Sequence, residues 1–391
     1  MSLDCTVTTR TKVVFLIPSL VQGGAQRQVL ELLARLPDRF EPVLTLWRNE
    51  VHFQSSLPPG QPRHVLDTRR MTARAFRRLV EILRIERPAI VHCFLNDANF
   101  WGRLAALRAG VPIIVSSVRA PMMELRYLPF ERLLSDRSQL VTCNSVGIRD
   151  ELVAWARVRP ERIRVIHNFI DLQQFRLPTD NERGATRARL GVSPEARVLV
   201  MPGRFSVQKH QIGFLLALRL LAKTGRLPPD LVVLLPGSHR LGIVDRLAMR
   251  LANGRLLRSV VRVPGTLPNM REVYWASDLL VLFSLWEGLP NVVLEACATG
   301  LPVLLSHAAN LDGSVAPGET GWEVPTGNHA ALAGALARAL ELPRQRWQQM
   351  GALGHARIQA LFPPERVLEE TLSAYDTLLA EHLPCAASPV T

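Results

Sequence analysis

Residues 284–302 read SLWEGLPNVVLEACATGLP, directly after the apolar, β-rich run Leu279–Phe283. The apolar pattern turns helical near Asn291, so the order is strand, loop, helix. Glu287 falls in the loop and Glu295 about one turn into the helix. Gly288 frees the backbone of the loop, and the first helical turn offers N–H groups that no intrahelical carbonyl takes. An ionised carboxylate only accepts hydrogen bonds, which suits it to orienting a polyol. Two glutamates eight apart are common by chance. Their combination with Gly288, Leu289, Pro290 and Asn291 in this frame is far rarer.

Outward from this segment, short apolar runs alternate with helix-period segments along the whole chain, which predicts parallel sheets with crossover helices. Strands are expected at Val13–Ile17, Val43–Trp47, His64–Leu66, Ile90–Cys93, Ile113–Ser116, Leu140–Cys143 and Arg164–Ile166. A polar stretch, Leu177–Arg189, interrupts the pattern. Strands resume at Val198–Met201, Val232–Leu235, Val260–Val263, Leu279–Phe283 and Val303–Leu305. Expected helices include Gln26–Leu36, Ala73–Ile85, Ala98–Ala109, Gly147–Ala156, Ile212–Lys223, Asn291–Thr299 and Ala330–Leu340, with one long helix at Pro364–His382. The fold class is therefore α/β, two doubly wound Rossmann-like domains facing across a cleft. The expected boundaries are 1–178, 179–365, and a terminal segment 366–391 that returns to the first domain. Ligands in such sheets lie beyond the carboxyl ends of the strands, so the loops there are the places to look.

Two more loops of this kind stand out. Gly23-Gly24 follow the first strand and lead into a helix, where a backbone can approach a ligand closely; taken alone, such a glycine turn is more often only a turn. Residues 202–210, PGRFSVQKH, follow the strand Val198–Met201. Arg204 and Lys209 there are suited to neutralise a departing diphosphate. The competing reading is a solvated basic loop. Lys209 is one of only three lysines against 44 arginines, so that position favours a compact ammonium.

The 391 residues exceed a comfortable single core, consistent with two domains. No run approaches the ~18 apolar residues of a membrane span. Arg10 and Lys12 before Val13–Val21 resemble a signal peptide, but Pro18 breaks the apolar run and no cleavage site follows. Five scattered cysteines (5, 93, 143, 297 and 385) have no metal-ligand spacing and suit a reducing compartment, so a cytoplasmic location is expected. Net charge is +13, concentrated in residues 1–177, with 26 Lys+Arg against 16 Asp+Glu. Such a half suits an anionic partner, although an arginine-rich proteome gives the same bias. Seven arginines in residues 69–87 interleave with Phe76, Leu79, Val80, Ile82 and Leu83. Together with Met122-Met123 and Tyr127–Phe130 they suggest peripheral contact with an anionic membrane; a core helix with arginines in water is the alternative. Aromatic residues are too few, at 6%, for a nucleic-acid-binding surface.

Residues 284–302 resemble the E-x7-E region of glycosyltransferase family 4, the group 1 retaining transferases. Other motifs agree in order and spacing over residues 12–345. Gly203-Arg204…Lys209 is similar to the family's G-R…K loop, and residues 165–171, VIHNFID, to its V-I-x-N-G-x-D segment. Gly23-Gly24-Ala25 resembles its first glycine loop, and Cys143-Asn144-Ser145 its t-n-S. The resemblance implies a GT-B enzyme moving a sugar from a nucleotide-sugar donor. Arg204 and Lys209 would hold the diphosphate, Glu287 the transferred sugar, Glu295 the ribose, the backbone near Val263–Leu267 the base, and Gly24 the diphosphate. Three departures accompany it. Val118-Arg119 stands where many members carry a sugar-contacting histidine, Ala308-Ala309 replaces a glycine pair upstream of Asp312, and Phe169 replaces a glycine.

No Asp-x-Asp occurs, so the expected mechanism is metal-independent, with no metal site and no cofactor, and cations stabilise the leaving group. The resemblance further implies front-face attack, with the leaving phosphate assisting deprotonation of the acceptor. The expected donor is a UDP-hexose or UDP-N-acetylhexosamine, with GDP-mannose second; the expected acceptor is a glycan or lipid-linked precursor. A nucleotide-sugar epimerase of the same fold lacks a matched acid/base pair here. A non-catalytic nucleotide-sugar binder is disfavoured by the intact Glu287, Glu295, Arg204 and Lys209.

Overall fold

The computed structural model describes residues 10–21, 23–52, 57–121, 128–238 and 242–383. Residues up to Phe169, with those from Pro364 onward, form one compact unit, and Ile170–Pro363 form the other.

The first unit is built on seven parallel strands: β1 (Thr11–Ile17), β2 (Phe40–Leu46), β3 (Arg63–Val65), β4 (Ile90–Phe94), β5 (Ile113–Val118), β6 (Leu140–Cys143) and β7 (Ile163–Val165). Their order in the sheet is β3-β2-β1-β4-β5-β6-β7, so the winding reverses between β1 and β4. Successive residues of β1 point to opposite faces, and both faces are covered. Phe15 and Ile17 pack with Val29 and Leu33 of the helix Gly24–Arg35 and with Val367 and Tyr375 of the last helix, Pro364–His382. Val14 and Leu16 pack with Leu79 and Leu83 of the helix Ala73–Glu86. This two-sided burial is why β1 reads as an unbroken apolar run.

The same packing favours the alternative reading of residues 69–87, a core helix with its arginines in water. Leu79, Val80, Ile82 and Leu83 are buried in the unit's own core, while Arg74, Arg77, Arg78 and Arg84 face water. The apolar face is already occupied. The companion stretch Met122–Tyr127 lies outside the described residues. Among the described residues no helix is long and apolar enough to cross a membrane.

The second unit holds six parallel strands: β8 (Arg197–Val200), β9 (Leu231–Pro236), β10 (Val261–Gly265), β11 (Leu279–Leu282), β12 (Val303–Ser306) and β13 (Gly321–Val324). Their order is β10-β9-β8-β11-β12-β13. β13 is an addition to the strands read from the sequence: Gly321 and Trp322 pair with Val303 and Leu304 at the sheet's edge.

Two expectations change here. Ile170 and Phe175 are buried in the second unit's core, so residues 170–178 belong to it and not to the first. The polar stretch before residue 190 is a helix, Asp180–Arg189, begun by a capping box: Thr179 Oγ1 accepts from Glu182 N, and Glu182 Oε2 accepts from Thr179 N at 2.9 Å. Arg183 and Arg187 are anchored on Asp278 and backbone carbonyls, while Arg189 is exposed. Arg187 is buried and donates to Asp278 Oδ2 at 2.8 Å and to Pro194 O at 2.7 Å.

Candidate active site

In the second sheet the winding reverses between β8 and β11, which are neighbours, so the loops that follow them emerge side by side. The loop after β8 is stitched to the one after β9: Gly203 N donates to Pro236 O at 2.9 Å, and Phe205 N to Ser238 O at 3.0 Å. A Cβ on Gly237 would stand 2.0 Å from Gly203 O, so only glycine permits this approach. Leu285 N donates to Gln208 O at 2.8 Å, which joins the loops after β8 and β11.

That junction brings Lys209 and Glu287 into contact. Lys209 Nζ donates to Glu287 Oε1 at 2.5 Å, and Ser284 Oγ donates to the same oxygen at 2.6 Å. Glu287 is 7% exposed, so the pair is largely withdrawn from water. Gln208 Nε2 reaches Trp286 O at 3.1 Å and Glu287 Oε2 at 3.5 Å. The side chain of Arg204, in the same loop, is exposed. An ammonium, an exposed guanidinium and an oriented carboxylate thus share one end of the sheet.

Glu295 sits in the helix Asn291–Ala298 that follows, buried, and accepts from Tyr274 Oη at 2.9 Å. Gly288, Leu289 and Pro290 are buried in the intervening turn, and Asn291 is half-buried. Val263 and Leu267 turn their side chains onto the two cores of the unit, which leaves the backbone as the group they can offer a ligand. The hydrogen-bond partners Ser284, Gln208 and Tyr274 were not assigned roles from the sequence. Ser284 and Gln208, within the quoted segments 284–302 and 202–210, carried a positional hint, and Tyr274 carried none.

Gly23, Gly24 and Arg119 belong to the first unit. Gly23 caps the helix Gly24–Arg35 in an extended conformation, with the Gln26 side chain folded back against it. Arg119 follows β5 and donates to Asn168 Oδ1 at 2.7 Å, while its guanidinium carbon lies 5.5 Å from the centre of the Phe94 ring. Asn144 Nδ2 donates to the same Asn168 oxygen at 3.2 Å, so the ends of β5, β6 and β7 share one acceptor. Desolvation lowers the Arg119 pKa to about 10, which leaves it cationic at neutral pH. Beneath it, buried His92 contacts Tyr375 Oη at 2.6 Å through Nδ1 and Ser117 Oγ at 2.8 Å through Nε2. Among the described residues no three His, Cys, Asp or Glu side chains are grouped as metal ligands.

Residues 182–353 match the family profile described as glycosyl transferases group 1, and residues 22–174 that of glycosyltransferase family 4. A D-inositol 3-phosphate glycosyltransferase of Actinosynnema mirum is 30% identical over 309 residues, 73% of this chain and 72% of the relative. The chain belongs to the group 1 glycosyltransferases of family 4. The UDP-Gal:alpha-D-GlcNAc-diphosphoundecaprenol alpha-1,3-galactosyltransferase of Escherichia coli is 29% identical over 237 residues, 59% of this chain. The match spans 60% of that enzyme's length. HepE of Anabaena in complex with UDP-glucose superposes with a TM-score of 0.83 at 20% identity, over 94% of this chain and 100% of the other. This likeness is one of fold: GT-B, two Rossmann-like domains on parallel sheets. In this chain the Ala308-Ala309 pair closes a short 3-10 turn, and Ala308 N donates to Thr326 Oγ1 at 3.0 Å.

Proposed function

We propose that the chain is a retaining, metal-independent hexosyltransferase that moves a sugar from a UDP-linked donor to a hydroxyl of a glycan or lipid-linked acceptor. The observation that carries this reading is the Lys209–Glu287 pair at the reversal of the second sheet. Breaking the bond between the anomeric carbon and the phosphate oxygen leaves negative charge on the diphosphate. Lys209 and Arg204 are the cations that meet it, and a fixed ammonium in a half-buried site stabilises that charge better than water does. Glu287 accepts hydrogen bonds from the sugar's hydroxyls, and Glu295 from those of the ribose. The acceptor oxygen bonds to the anomeric carbon on the face the phosphate leaves, and its proton passes to the departing phosphate oxygen. Catalysis then rests on positioning and charge stabilisation. By the resemblance, Gly23 and Gly24 are donor contacts; Arg119, which departs from the family's histidine, is proposed to bond the sugar or a phosphate through its fixed charge.

Calorimetry against UDP-, GDP-, ADP- and dTDP-sugars, first with EDTA and then with magnesium, tests the reading. A metal-independent Kd for a UDP-hexose, lost in Lys209→Ala, is the expected result. Transfer by Lys209→Ala or Glu287→Ala is expected to fall by roughly 10²–10³-fold. Undiminished transfer in either variant would falsify the assignment.

A further inference from the structure

We infer that Ser284 is a positioning residue that aims Glu287 at the transferred sugar, an inference that rests on the function proposed above. The two oxygens of Glu287 are not equivalent. Oε1 takes both short contacts, from Lys209 Nζ at 2.5 Å and from Ser284 Oγ at 2.6 Å. Oε2 has Gln208 Nε2 at 3.5 Å, at the outer limit of a hydrogen bond. A carboxylate offers about four lone-pair positions, so two donors fill one oxygen and leave the other to a ligand hydroxyl. Ser284 and Lys209 therefore fix which oxygen is offered and in which direction.

The two restraints differ in permanence. Lys209 carries the charge that a diphosphate attracts, so its hold on Glu287 weakens as the donor seats. Ser284 is neutral, fully buried, and attracts no ligand. Its own backbone is pinned, since Ser306 Oγ donates to Ser284 O at 2.6 Å. The hydroxyl is thus the restraint that remains once the nucleotide is bound. A misaimed Glu287 would cost binding of the sugar alone and leave the nucleotide's contacts intact.

The experiment compares the affinities of UDP and of the UDP-hexose that binds best, measured by calorimetry on the full chain. Ser284→Ala removes the hydroxyl, and Ser284→Cys fills nearly the same space with a weak donor, so a folding failure of one leaves the other to decide. Both are expected to reduce the preference for UDP-hexose over UDP on the order of tenfold, with the UDP affinity itself unchanged. An unchanged preference in a folded variant overturns the role of Ser284 and leaves the proposed function standing. A UDP affinity that falls in step with that for UDP-hexose also overturns it, since the residue would then support the loop as a whole. Wild-type protein that binds neither compound, nor any other nucleotide sugar, overturns the proposed function and this role together.

Discussion

The imidazole of His210 occupies the space that a side chain at Gly213 would need. A Cβ built on Gly213 would stand 2.3 Å from both Cδ2 and Nε2 of the ring, and 2.9 Å from the Phe283 ring behind it. His210 directly follows Lys209 and holds a left-handed backbone, φ 53°, which is unusual for a residue other than glycine. The ring's seat beside Phe283, 5.4 Å between centroids, is what sustains that conformation.

Gly213→Ala is therefore expected to harm this protein, although glycine to alanine inside a helix ordinarily stabilises by about 1 kcal/mol. The collision with His210 and Phe283 should win, at about 1–3 kcal/mol, because the Phe283 ring is fully buried and cannot give way. Denaturation midpoints and UDP-hexose affinity should fall together, since displacing His210 moves Lys209. The double variant His210→Gly with Gly213→Ala is expected to recover part of both: removing the ring ends the 2.3 Å collisions and glycine accepts the positive φ, while the 2.9 Å approach to Phe283 remains. A loss of UDP-hexose affinity in His210→Gly alone would mean that the ring itself supplies something to the site.

Tyr274→Phe addresses the second glutamate. Tyr274 Oη donates to Glu295 Oε2 at 2.9 Å, and both groups are buried. If Glu295 holds the ribose, loss of this hydrogen bond should weaken free UDP roughly tenfold, at about 1.5 kcal/mol. The ratio between UDP-hexose and UDP should stay as it was, the opposite of the pattern expected for Ser284. A UDP affinity equal to wild type in calorimetry would remove Glu295 from the ribose.

The main strands, the loops carrying Lys209 and Glu287, and the helix carrying Glu295 were legible in the sequence because two-sided burial leaves apolar runs, and the runs punctuate the loops. The helix Asp180–Arg189 was not legible from apolar periodicity, since its buried contacts are made by Arg187 rather than by aliphatic side chains. Its capping box, Thr179 to Glu182, was there to be read. β13 is only four residues long and enters by pairing with a distant strand, which local pattern does not reveal. Ser284, Gln208 and Tyr274 escaped for the same reason: a hydroxyl or an amide gains a role from the carboxylate that folding brings beside it. The turn of Arg119 toward Asn168 and Phe94 likewise depends on β4, β5 and β7 ending together.

His92 gives the fold of the first unit a pH dependence whose sign follows from its surroundings. Burial, with the nearby Arg119 charge second, holds its pKa well below the usual imidazole range. Its ring nitrogens face Tyr375 and Ser117, and Ser117 Oγ lies 2.6 Å from Thr142 Oγ1, so no carboxylate among these contacts compensates a proton. The unfolded chain binds a proton at about pH 6.5 that the folded chain refuses, so stability should fall as pH drops below that point. The slope for one such group approaches about 1.4 kcal/mol per pH unit. His210, whose pKa burial also lowers, adds in the same direction, so the contribution of His92 is read by difference. His92→Gln keeps one donor and one acceptor but does not titrate. Urea midpoints between pH 7.5 and 5 should show a lower stability for this variant at pH 7.5 and a shallower decline below pH 6.5. Parallel declines for the two proteins would show that His92 takes up its proton without opening the contact with Tyr375.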